Sequence, residues 1–355
     1  MRSTTVSSLG ERALIQRITA RVSLPPWVVV GPGDDAAVIE PERGALEVLT
    51  TDAQVEGVHF DRRFVPPDAI GHRALAVNLS DLAAMGASPR VALLSLALPD
   101  ALEVETVDQV LEGLLGLATQ QHVVLVGGNI TRTPGPFVID VTLTGSVRPR
   151  RVLTRAGARP GDEVYVTGTI GDAVVGLRSL QGRAALAAGL DSKERCDNPP
   201  RSSLDLAEAV QFRFCEGRYL RPEPRVRAGV LLGRNRAASA CMDLSDGLAD
   251  GVRQVSEASG VGMCIDAAAL PISEEARRWH TGRGQDAVSA SVAGGDDYEL
   301  LFTVRPSHKG RLRAVQKETG NLPITRIGVV TRERRLLVRA ADGDRQLPPG
   351  FEHFR

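Results

Sequence analysis

The chain has 355 residues, of which 43% are hydrophobic and 24% charged, a composition typical of globular proteins rather than disordered or fibrous ones. Because a single hydrophobic core rarely extends beyond roughly 250–300 residues, this length predicts two domains. Lys and Arg together number 43, as do Asp and Glu, so the net charge of zero argues against nucleic acid or an anionic membrane as a partner.

The sequence shows no signal for export or for membrane insertion. The first 18 residues contain no continuous apolar segment of the kind that marks a secretory signal. The longest apolar stretch, VALLSLAL at 91–98, is far shorter than a membrane-spanning helix. The four cysteines show neither a CxxC pair nor zinc-ligand spacing, which predicts reduced thiols. We therefore expect a cytoplasmic protein that does not contact a membrane.

Strands and helices alternate in the first part of the chain. Apolar runs predict buried strands at 27–31 and 46–52, and the two-residue alternation of FVIDVTLTGSV predicts a strand at 137–147. Helical periodicity predicts helices at 68–86 and 104–120, the second with an apolar stripe along one side.

A domain boundary is predicted where proline, glycine and several arginines interrupt this pattern, in RPRRVLTRAGARPGD at 148–162. The chain is accordingly divided into domains at 1–149 and 150–355. Residues 182–222 are the least regular part of the second domain, and we interpret them as an irregular insertion.

The second domain continues the alternation of strands and helices. EVYVTG predicts a strand, and GDAVVGLRSL predicts a helix whose start is capped by Asp172. SACMDLS predicts a strand leading into a helix at 246–259, with Asp246 as its N-cap. Three later strands are predicted by the sequences ELLFTV, ITRIGVVT and RLLVRA. The fold class predicted for the whole chain is α+β, with two mixed α/β domains.

Aspartates stand at predicted strand ends or helix starts in five places: Asp34 with Asp35, Asp52, Asp81, Asp243 with Asp246, and Asp296 with Asp297. Any one of them alone is ordinarily a helix cap or a turn residue. Strand ends tend to gather at one edge of a sheet, however, and two carboxylates about 4 Å apart repel by about 4 kcal/mol at an effective dielectric constant of 20. Such a cluster indicates cations among the carboxylates, and all-oxygen ligands favour Mg²⁺ over zinc.

Two glycine-rich stretches are predicted to bind the phosphate that accompanies such a metal. VLVGGNITR at 124–132 follows a predicted strand, and VTGTIGDAVVG at 166–176 precedes a predicted helix, where backbone N–H groups attract an anion. The chain has no GxxxxGK[ST] P-loop, and no GxGxxG opens its first βαβ unit. An ordinary tight turn is the alternative for each stretch.

One short pattern occurs twice. NLSDLAAMG at 78–86 and DLSDGLADG at 243–251 share a polar–Leu–Ser–Asp core that opens an apolar helical stretch. Since no fixed-period repeat accompanies it, we interpret the pattern as the same loop chemistry used once in each domain.

A series of motifs runs in one order from about residue 30 to the C-terminus: GPGDDAAVI, TTDAQVEGVHF, ALAVNLSDLAAMGASP, VGGNITR, LTRAGARPGDEVYVTGTIGDA, LRPEPRV, MDLSDGLADG, GGDDYELLFTV and PGFEHFR. With them the chain resembles the thiamine-monophosphate kinase family, within the superfamily of aminoimidazole ribonucleotide synthetase and selenophosphate synthetase. The resemblance implies ATP-dependent phosphorylation of thiamine monophosphate to thiamine diphosphate, with several Mg²⁺ ions. It also implies two α+β domains and a homodimer formed through the N-terminal domains.

The resemblance also assigns site residues, position by position. The implied metal-binding positions are Asp35, Thr50, Thr51, Asp52, Asp81, Asn129, Asp243 and Asp246. The implied ATP contacts are Gly128, Asn129, Arg155 and Ser245. The implied contacts to the thiamine moiety are His59, Asp296 and Phe351.

The chain departs from the family pattern at two of these positions. Asn129 stands where the family often has aspartate, which keeps a ligating oxygen but removes a charge. Asp296 stands where glutamate is usual, which shortens the side chain by one methylene. From the residues alone, a lone histidine such as His59 is usually a core or surface residue, Phe351 is by default a tail anchor, and Asp296 has an N-cap or turn role as its alternative.

The implied chemistry needs no general acid or base. A phosphate monoester has a second pKa of about 6, so the acceptor is already largely anionic at neutral pH. Direct in-line transfer from ATP then depends on positioning and charge neutralisation. Two alternatives stay open: another ATP-dependent synthetase of the superfamily, and a nucleotide-binding paralogue without turnover, which Asn129 motivates.

Overall fold

A computed structural model describes residues 4–188 and 212–350 of the chain. The described residues fold into two compact units. The N-terminal unit comprises the described part of Met1–Leu82 together with Ala87–Arg150, and the C-terminal unit comprises Ala83–Gly86 with the described part of Arg151–Arg355. Both units combine helices with β-sheet, which confirms the predicted fold class.

The N-terminal unit is built on a four-stranded sheet in the order β3-β6-β4-β5. Its strands are β3 (Leu46–Val55), β4 (Ser88–Pro99), β5 (Val124–Thr133) and β6 (Val138–Val147). The neighbours β4 and β5 are parallel, and the other two pairs are antiparallel. A small hairpin pairs β1 (Val28–Val30) with β2 (Val38–Ile39), and the helices are α1 (Val6–Leu9), α2 (Glu11–Thr19), α3 (Pro67–Ala84) and α4 (Val104–Gln120).

The alternating burial of side chains along β6 shows which face of this sheet is covered. Ile139, Val141 and Leu143 are fully buried, whereas the residues between them are only half-buried. The α4 stripe is also buried as its periodicity predicts, including Val107, Leu111 and Leu114. The two-residue period of the strand and the helical period of α4 are therefore both confirmed.

Two glycines let α3 and α4 approach at backbone distance. A Cβ added at Gly71 of α3 would lie 1.7 Å from the Val110 carbonyl oxygen, and one added at Gly113 of α4 would lie 1.8 Å from the Asp68 carbonyl oxygen. Such distances exclude any side chain, so the two helices can cross this closely only with glycine at both positions. The same helix α3 carries Asp81, whose Oδ2 accepts a hydrogen bond from Thr50 of β3.

Gly113→Ala is expected to destabilise the fold by at least about 1–3 kcal/mol, because the new methyl group would force the two backbones apart. Gly116, on the same helix, has open space at its Cβ position, so Gly116→Ala is the matched control. That control is expected to be neutral or to stabilise by up to about 1 kcal/mol through helix propensity. Urea denaturation of both variants measures the difference, and equal effects would contradict the close crossing.

The C-terminal unit is built on a seven-stranded sheet in the order β13-β12-β9-β11-β7-β10-β8. Its strands are β7 (Glu163–Thr167), β8 (Ala240–Asp243), β9 (Gly262–Asp266), β10 (Leu300–Val304), β11 (Ile324–Thr331), β12 (Leu336–Ala340) and β13 (Gly343–Gln346). Its helices are α5 (Asp172–Ala187), α6 (Arg213–Leu220), α7 (Val226–Arg234), α8 (Leu248–Ser259), α9 (Glu274–Thr281), α10 (Ala287–Ala293) and α11 (Lys309–Thr319). Among the described strands of this sheet, β9 and β12 form the only parallel pair. In the described parts of both units, no helix combines the length and the apolar character needed to cross a membrane.

Two strand predictions are corrected by the structure. The predicted buried strand at 27–31 is a three-residue strand in a small hairpin, with Val29 61% exposed. The strand predicted at 46–52 continues to Val55 and is not buried, since Leu49 on its outer face is 68% exposed. An apolar run predicts a buried strand only when both faces of the sheet are covered, and this condition is not met here.

The glycine-rich stretch at 124–132 is not a turn after a strand but part of β5 itself. A Cβ at Gly128 would lie 1.9 Å from the Leu94 carbonyl oxygen, and the β4–β5 register shifts between Ala92 and Leu93. The glycine is therefore required by a close approach of neighbouring strands at a bulge. The stretch at 166–176 does contain a turn, in which Gly168 and Gly171 have positive φ.

The predicted helix caps and the recurrent Leu-Ser-Asp pattern are also corrected. The N-caps of α5 and α8 are Gly171 and Gly247, so Asp172 is the first residue inside its helix and Asp246 precedes its helix. Asp81 lies within α3, whereas Asp246 lies in the loop after β8, so the shared pattern does not form the same local structure twice.

The predicted irregular insertion at 182–222 is regular at both of its ends. The helix α5 continues to Ala187, and α6 occupies Arg213–Leu220. The centre of the prediction, 189–211, lies outside the described residues.

Candidate active site

The N-terminal unit brings several predicted site residues to the side of its sheet that faces α3. The Thr50 hydroxyl on β3 donates a hydrogen bond to Asp81 Oδ2 on α3. Asp52 follows Thr50 by two residues and therefore lies on the same face of the strand. The structure thus groups Thr50, Asp52 and Asp81, which are separated by as many as 31 residues in the sequence.

Thr51 lies on the opposite face of β3, away from this group. Its Oγ1 donates to Asp140 Oδ1 at 3.1 Å and lies 3.1 Å from Thr142 Oγ1. Ser95 of β4 pairs with both Asp140 and Asn129, so Asn129 belongs to this second face as well. The adjacent residues Thr50 and Thr51 therefore cannot both direct their hydroxyl groups to one ion.

Sequence reasoning overlooked Asp140, which shares the second face with two predicted ligands. The signal was present in FVIDVTLTGSV, because strict alternation places Asp140 and Thr142 on the side opposite the buried residues.

Asp35 lies in the exposed loop between β1 and β2. Its backbone N–H donates to Asp34 Oδ1 at 2.8 Å, so the two neighbouring aspartates form one local structure. Among the described residues neither carboxylate forms an ion pair with a basic side chain. Their negative charges are thus not neutralised within this part of the chain.

His59 lies in the short turn that follows β3. The Val55 N–H donates to His59 Nδ1 at 3.1 Å, so Nδ1 is the acceptor nitrogen. In the neutral ring the proton therefore resides on Nε2, which is a hydrogen-bond donor. This arrangement suits contact with an anionic or carbonyl group, and it also provides the structural role that the sequence left open.

In the C-terminal unit, two predicted motifs lie side by side. Asp296 N donates to the Ser245 carbonyl at 2.7 Å, Tyr298 N donates to the Leu244 carbonyl at 3.0 Å, and Leu244 N donates to the Glu299 carbonyl at 2.8 Å. This ladder joins the loop 243–247 to the turn 294–299. The predicted metal, ATP and thiamine contacts of this unit, Asp243, Ser245, Asp246 and Asp296, are thereby brought together.

The neighbouring carboxylates of the GGDDYEL turn have different environments. Asp296 is partly exposed and accepts a hydrogen bond from the Tyr298 hydroxyl at 3.0 Å. Asp297 is 2% exposed, and its Oδ2 accepts from the Gly171 N–H at 2.8 Å. Burial raises the pKa of Asp297 well above its usual range. Of the two, only Asp296 is placed to meet a ligand.

Replacing Asp297 by Asn is expected to stabilise the protein increasingly as pH rises. Because its folded pKa is raised, the wild-type folded state binds more protons than the unfolded state above about pH 4, so its stability falls with rising pH. Asn keeps an oxygen that can accept from Gly171 N–H and does not ionise. The free energy of unfolding of Asp297→Asn minus that of the wild type should grow by up to about 1.4 kcal/mol for each unit by which pH rises. Urea denaturation between pH 4.5 and 6 tests this, and a difference independent of pH would contradict it.

Arg155 is anchored to the helix that follows the DLSDG loop. Its Nη1 donates to Gln254 Oε1, and Gln254 Nε2 donates to Asp250 Oδ2, one turn beyond Asp246. The C-terminal segment reaches the same part of α8, since a Cβ at Gly350 would lie 2.8 Å from Asp250 Cβ. Phe351, the next residue and a predicted thiamine contact, lies outside the described residues.

The arrangement supplies hard oxygen donors rather than a closed metal cage. Within 4–188 and 212–350, no group of three His, Cys, Asp or Glu side chains is arranged to hold a metal ion by itself. The donors at Thr50, Asp52 and Asp81 are hydroxyl and carboxylate oxygens. This set fits Mg²⁺, which is commonly held by one or two carboxylates and keeps water or phosphate as its other ligands.

Two family models match successive parts of the chain. Residues 33–147 match the family AIR synthase related protein, N-terminal domain, and residues 159–340 match AIR synthase related protein, C-terminal domain. Thiamine-monophosphate kinase of Escherichia coli K12 is 38% identical over 349 residues, covering 97% of this chain and 98% of the relative.

Two solved structures are similar along most of the chain. Thiamine-monophosphate kinase from Stenotrophomonas maltophilia K279a has a TM-score of 0.76 and 37% identity, covering 92% of this chain and 95% of that one. AaThiL complexed with AMPPCP and TMP has a TM-score of 0.70 and 33% identity, covering 100% of this chain and 99% of that one. The chain therefore belongs to the AIR synthase-related proteins and, among them, to the thiamine-monophosphate kinase family.

Proposed function

We propose that this chain is a kinase that transfers the γ-phosphate of ATP to thiamine monophosphate and forms thiamine diphosphate. The observation that carries the proposal is the backbone ladder between loop 243–247 and turn 294–299. It unites the residues proposed for metal, ATP and thiamine in the C-terminal unit. Full-length similarity to thiamine-monophosphate kinases, and to AaThiL with AMPPCP and TMP bound, supports the same activity.

In the C-terminal domain, taken as 150–355, we assign Asp243 and Asp246 to Mg²⁺ and Ser245 and Arg155 to ATP. Asp296 balances the positive thiazolium ring, because it is the partly exposed carboxylate of its turn. Phe351 provides a stacking surface for the same ligand.

The N-terminal domain, taken as 1–149, is assigned to metal and ATP binding and to dimerisation. The proposed Mg²⁺ ligands here are Asp35, Thr50, Thr51, Asp52, Asp81 and Asn129. Because Thr51 and Asn129 are on the opposite face from Thr50, at least one of the two faces must contribute through backbone atoms or through water. Gly128 contacts ATP through its backbone, and His59 contacts thiamine monophosphate.

Magnesium, when bound, neutralises phosphate charge and so lowers the repulsion between two polyanionic substrates. The chain's own residues bind and orient those substrates. Arg155 offers a planar cation that can donate two hydrogen bonds to phosphate oxygens. His59 donates through Nε2 and need not abstract a proton, because the acceptor phosphate is already largely anionic.

Direct transfer without a phosphorylated enzyme predicts inversion of configuration at the γ-phosphorus of ATP. A single in-line displacement inverts the phosphorus, whereas two successive displacements restore it. ATP with a chirally labelled γ-phosphate and analysis of the thiamine diphosphate formed measure the outcome. Net retention would require a phospho-enzyme and would overturn the direct mechanism.

The assembly that we propose is a homodimer formed through the open face of the N-terminal sheet. Leu49 is 68% exposed and Leu93 is 42% exposed on the face that also carries Thr51 and Thr142. Apolar side chains on an uncovered sheet face favour burial against a second, identical face. We place the protein in the cytoplasm, in keeping with its free described cysteines, and expect neither nucleic acid nor membrane among its partners.

The decisive experiment incubates the protein with ATP, Mg²⁺ and candidate acceptors in parallel, and detects thiamine diphosphate by chromatography. Product from thiamine monophosphate alone is expected. Product from another acceptor would favour a different synthetase of the superfamily. Nucleotide binding without product, not restored by Asn129→Asp, would favour a non-catalytic paralogue.

A further inference from the structure

A buried ion cluster, formed by Glu299 with Arg218 and Arg225, lies at the end of the turn that contains Asp296. Glu299, at the end of this turn, is fully buried. Arg225 donates to both of its oxygens, from Nε at 2.7 Å and from Nη2 at 2.6 Å, and Thr167 Oγ1 donates at 2.6 Å. Arg218 Nη2 adds a further hydrogen bond to Glu299 Oε1 at 2.5 Å. Glu299 is therefore saturated with donors that arrive from two other parts of the chain.

Arg218 differs from Arg225 because it also holds the turn itself. Its Nη2 lies 3.1 Å from the Asp297 carbonyl oxygen, the residue next to Asp296. Arg218 belongs to α6, whereas Arg225 is the N-cap of α7 and lies in the motif LRPEPRV. One guanidinium thus links helix α6 to the backbone of the turn and to its buried glutamate.

The turn needs such support because its backbone is strained. Asp296 has φ of 65° and Tyr298 has φ of 50°, and both values lie in the left-handed region that L-residues disfavour. A bulky aromatic residue such as Tyr298 is especially unfavourable there. Such conformations persist only where the surrounding contacts hold them in place. The hydrogen bond from Arg218 to the carbonyl between these two residues is one such contact.

We propose that Arg218 is a positioning residue for substrate binding: by fixing the Asp297 carbonyl and Glu299, it holds the strained turn in the conformation that directs the Asp296 carboxylate to thiamine monophosphate. This inference rests on the proposed function, since it needs Asp296 as a thiamine contact. Arg218 itself is not assigned to either substrate.

The test compares Arg218→Met with Arg183→Met. Arg183 Nη2 donates to Glu216 Oε2 at 2.7 Å, so this control also loses an arginine–carboxylate bond to α6. Within 4–188 and 212–350, Arg183 forms no hydrogen bond or ion pair with the turn 294–299. For Arg218→Met we expect KM for thiamine monophosphate to rise about tenfold, as for loss of a charged hydrogen bond. KM for ATP should change by less than about twofold, and kcat by less than about threefold. Arg183→Met should leave both KM values unchanged.

A double-mutant cycle with Asp296→Asn shows whether Arg218 acts through Asp296. If it does, adding Arg218→Met to Asp296→Asn changes KM for thiamine monophosphate by less than about twofold, because the two effects are not additive. A second tenfold rise in that background would overturn the inference. So would a loss of apparent kcat with both KM values unchanged, which is what a merely structural role predicts.

Arg218→Lys keeps the charge and one donor and serves if the methionine variant fails to fold. It is expected to raise KM for thiamine monophosphate about threefold, between wild type and Arg218→Met. An unchanged KM in Arg218→Lys would count against the inference. Wild-type protein that forms no thiamine diphosphate would contradict the proposed function itself. If the wild type is active but Arg218→Met and Arg183→Met have the same KM for thiamine monophosphate, only the positioning role is overturned.

Discussion

Asp81→Asn is expected to lower kcat/KM for phosphorylation at least about hundredfold, a loss comparable to removing one electrostatic contact to a transition state. Asn keeps an oxygen that can accept the Thr50 hydroxyl, so the link between β3 and α3 persists while the charge is lost. Without that charge the Mg²⁺ concentration needed for half-maximal activity should also rise. Initial rates measured across a Mg²⁺ titration give both quantities.

Asp100→Asn is the control for this substitution. The Asp100 side chain forms an exposed ion pair with Arg132 at 3.7 Å, and such surface pairs contribute little. Its Mg²⁺ dependence should match that of the wild type. If Asp81→Asn also kept the wild-type Mg²⁺ dependence, Asp81 would not be a metal ligand and the assignment of the face toward α3 would fail.

Glu299→Ala is expected to destabilise the protein by about 3–5 kcal/mol, because it leaves two buried guanidinium groups without their shared counter-charge. Arg218 and Arg225 are only 11% and 10% exposed, so water cannot replace the lost carboxylate. Burial lowers the pKa of Arg225 and its contacts with Glu299 raise it, and the net direction is upward. Urea denaturation at neutral pH measures the loss.

Glu223→Ala is the matched control, because Glu223 pairs with the same Arg225 at 2.8 Å but is 73% exposed. Its removal should cost less than about 1 kcal/mol, since solvent screens an exposed pair. Similar losses in the two variants would show that burial does not set the strength of this cluster. Both glutamates pair with Arg225, but Glu299 also accepts from Arg218 and Thr167, so the comparison contrasts a buried cluster with a single exposed ion pair.

The local chemistry of glycine illustrates where sequence reasoning succeeds and where it does not. Glycine next to a helix start predicted a turn at 166–176, and positive φ at Gly168 and Gly171 agrees with this. Glycine at 127–128 gave the same signal, but there it allows a neighbouring strand to approach. A turn with positive φ and a close approach of a neighbouring strand both require glycine, so the sequence alone does not distinguish them. The position of the neighbouring strand does.

The predicted helix caps were wrong for a related reason, a contact with a distant part of the chain. Asp246 has the residue type and spacing of an N-cap, yet α8 begins after Gly247 because loop 243–247 is hydrogen-bonded along turn 294–299. A Cβ at Gly247 would lie 2.1 Å from the Gly294 carbonyl oxygen. The long-range contact overrides the local preference and leaves Asp246 outside the helix.

The sequence by itself determined the elements that depend on near neighbours, including the alternation of β6 and the stripe of α4. Its ordered motifs also identified the family, because residue types at fixed spacing are a property of sequence alone. The tertiary structure alone decided which of these residues meet. It separated Thr50 from Thr51 across a sheet, joined Thr50 to Asp81, and enclosed Glu299 between arginines 74 and 81 residues away along the chain. Such contacts depend on packing between distant segments, which no local pattern records.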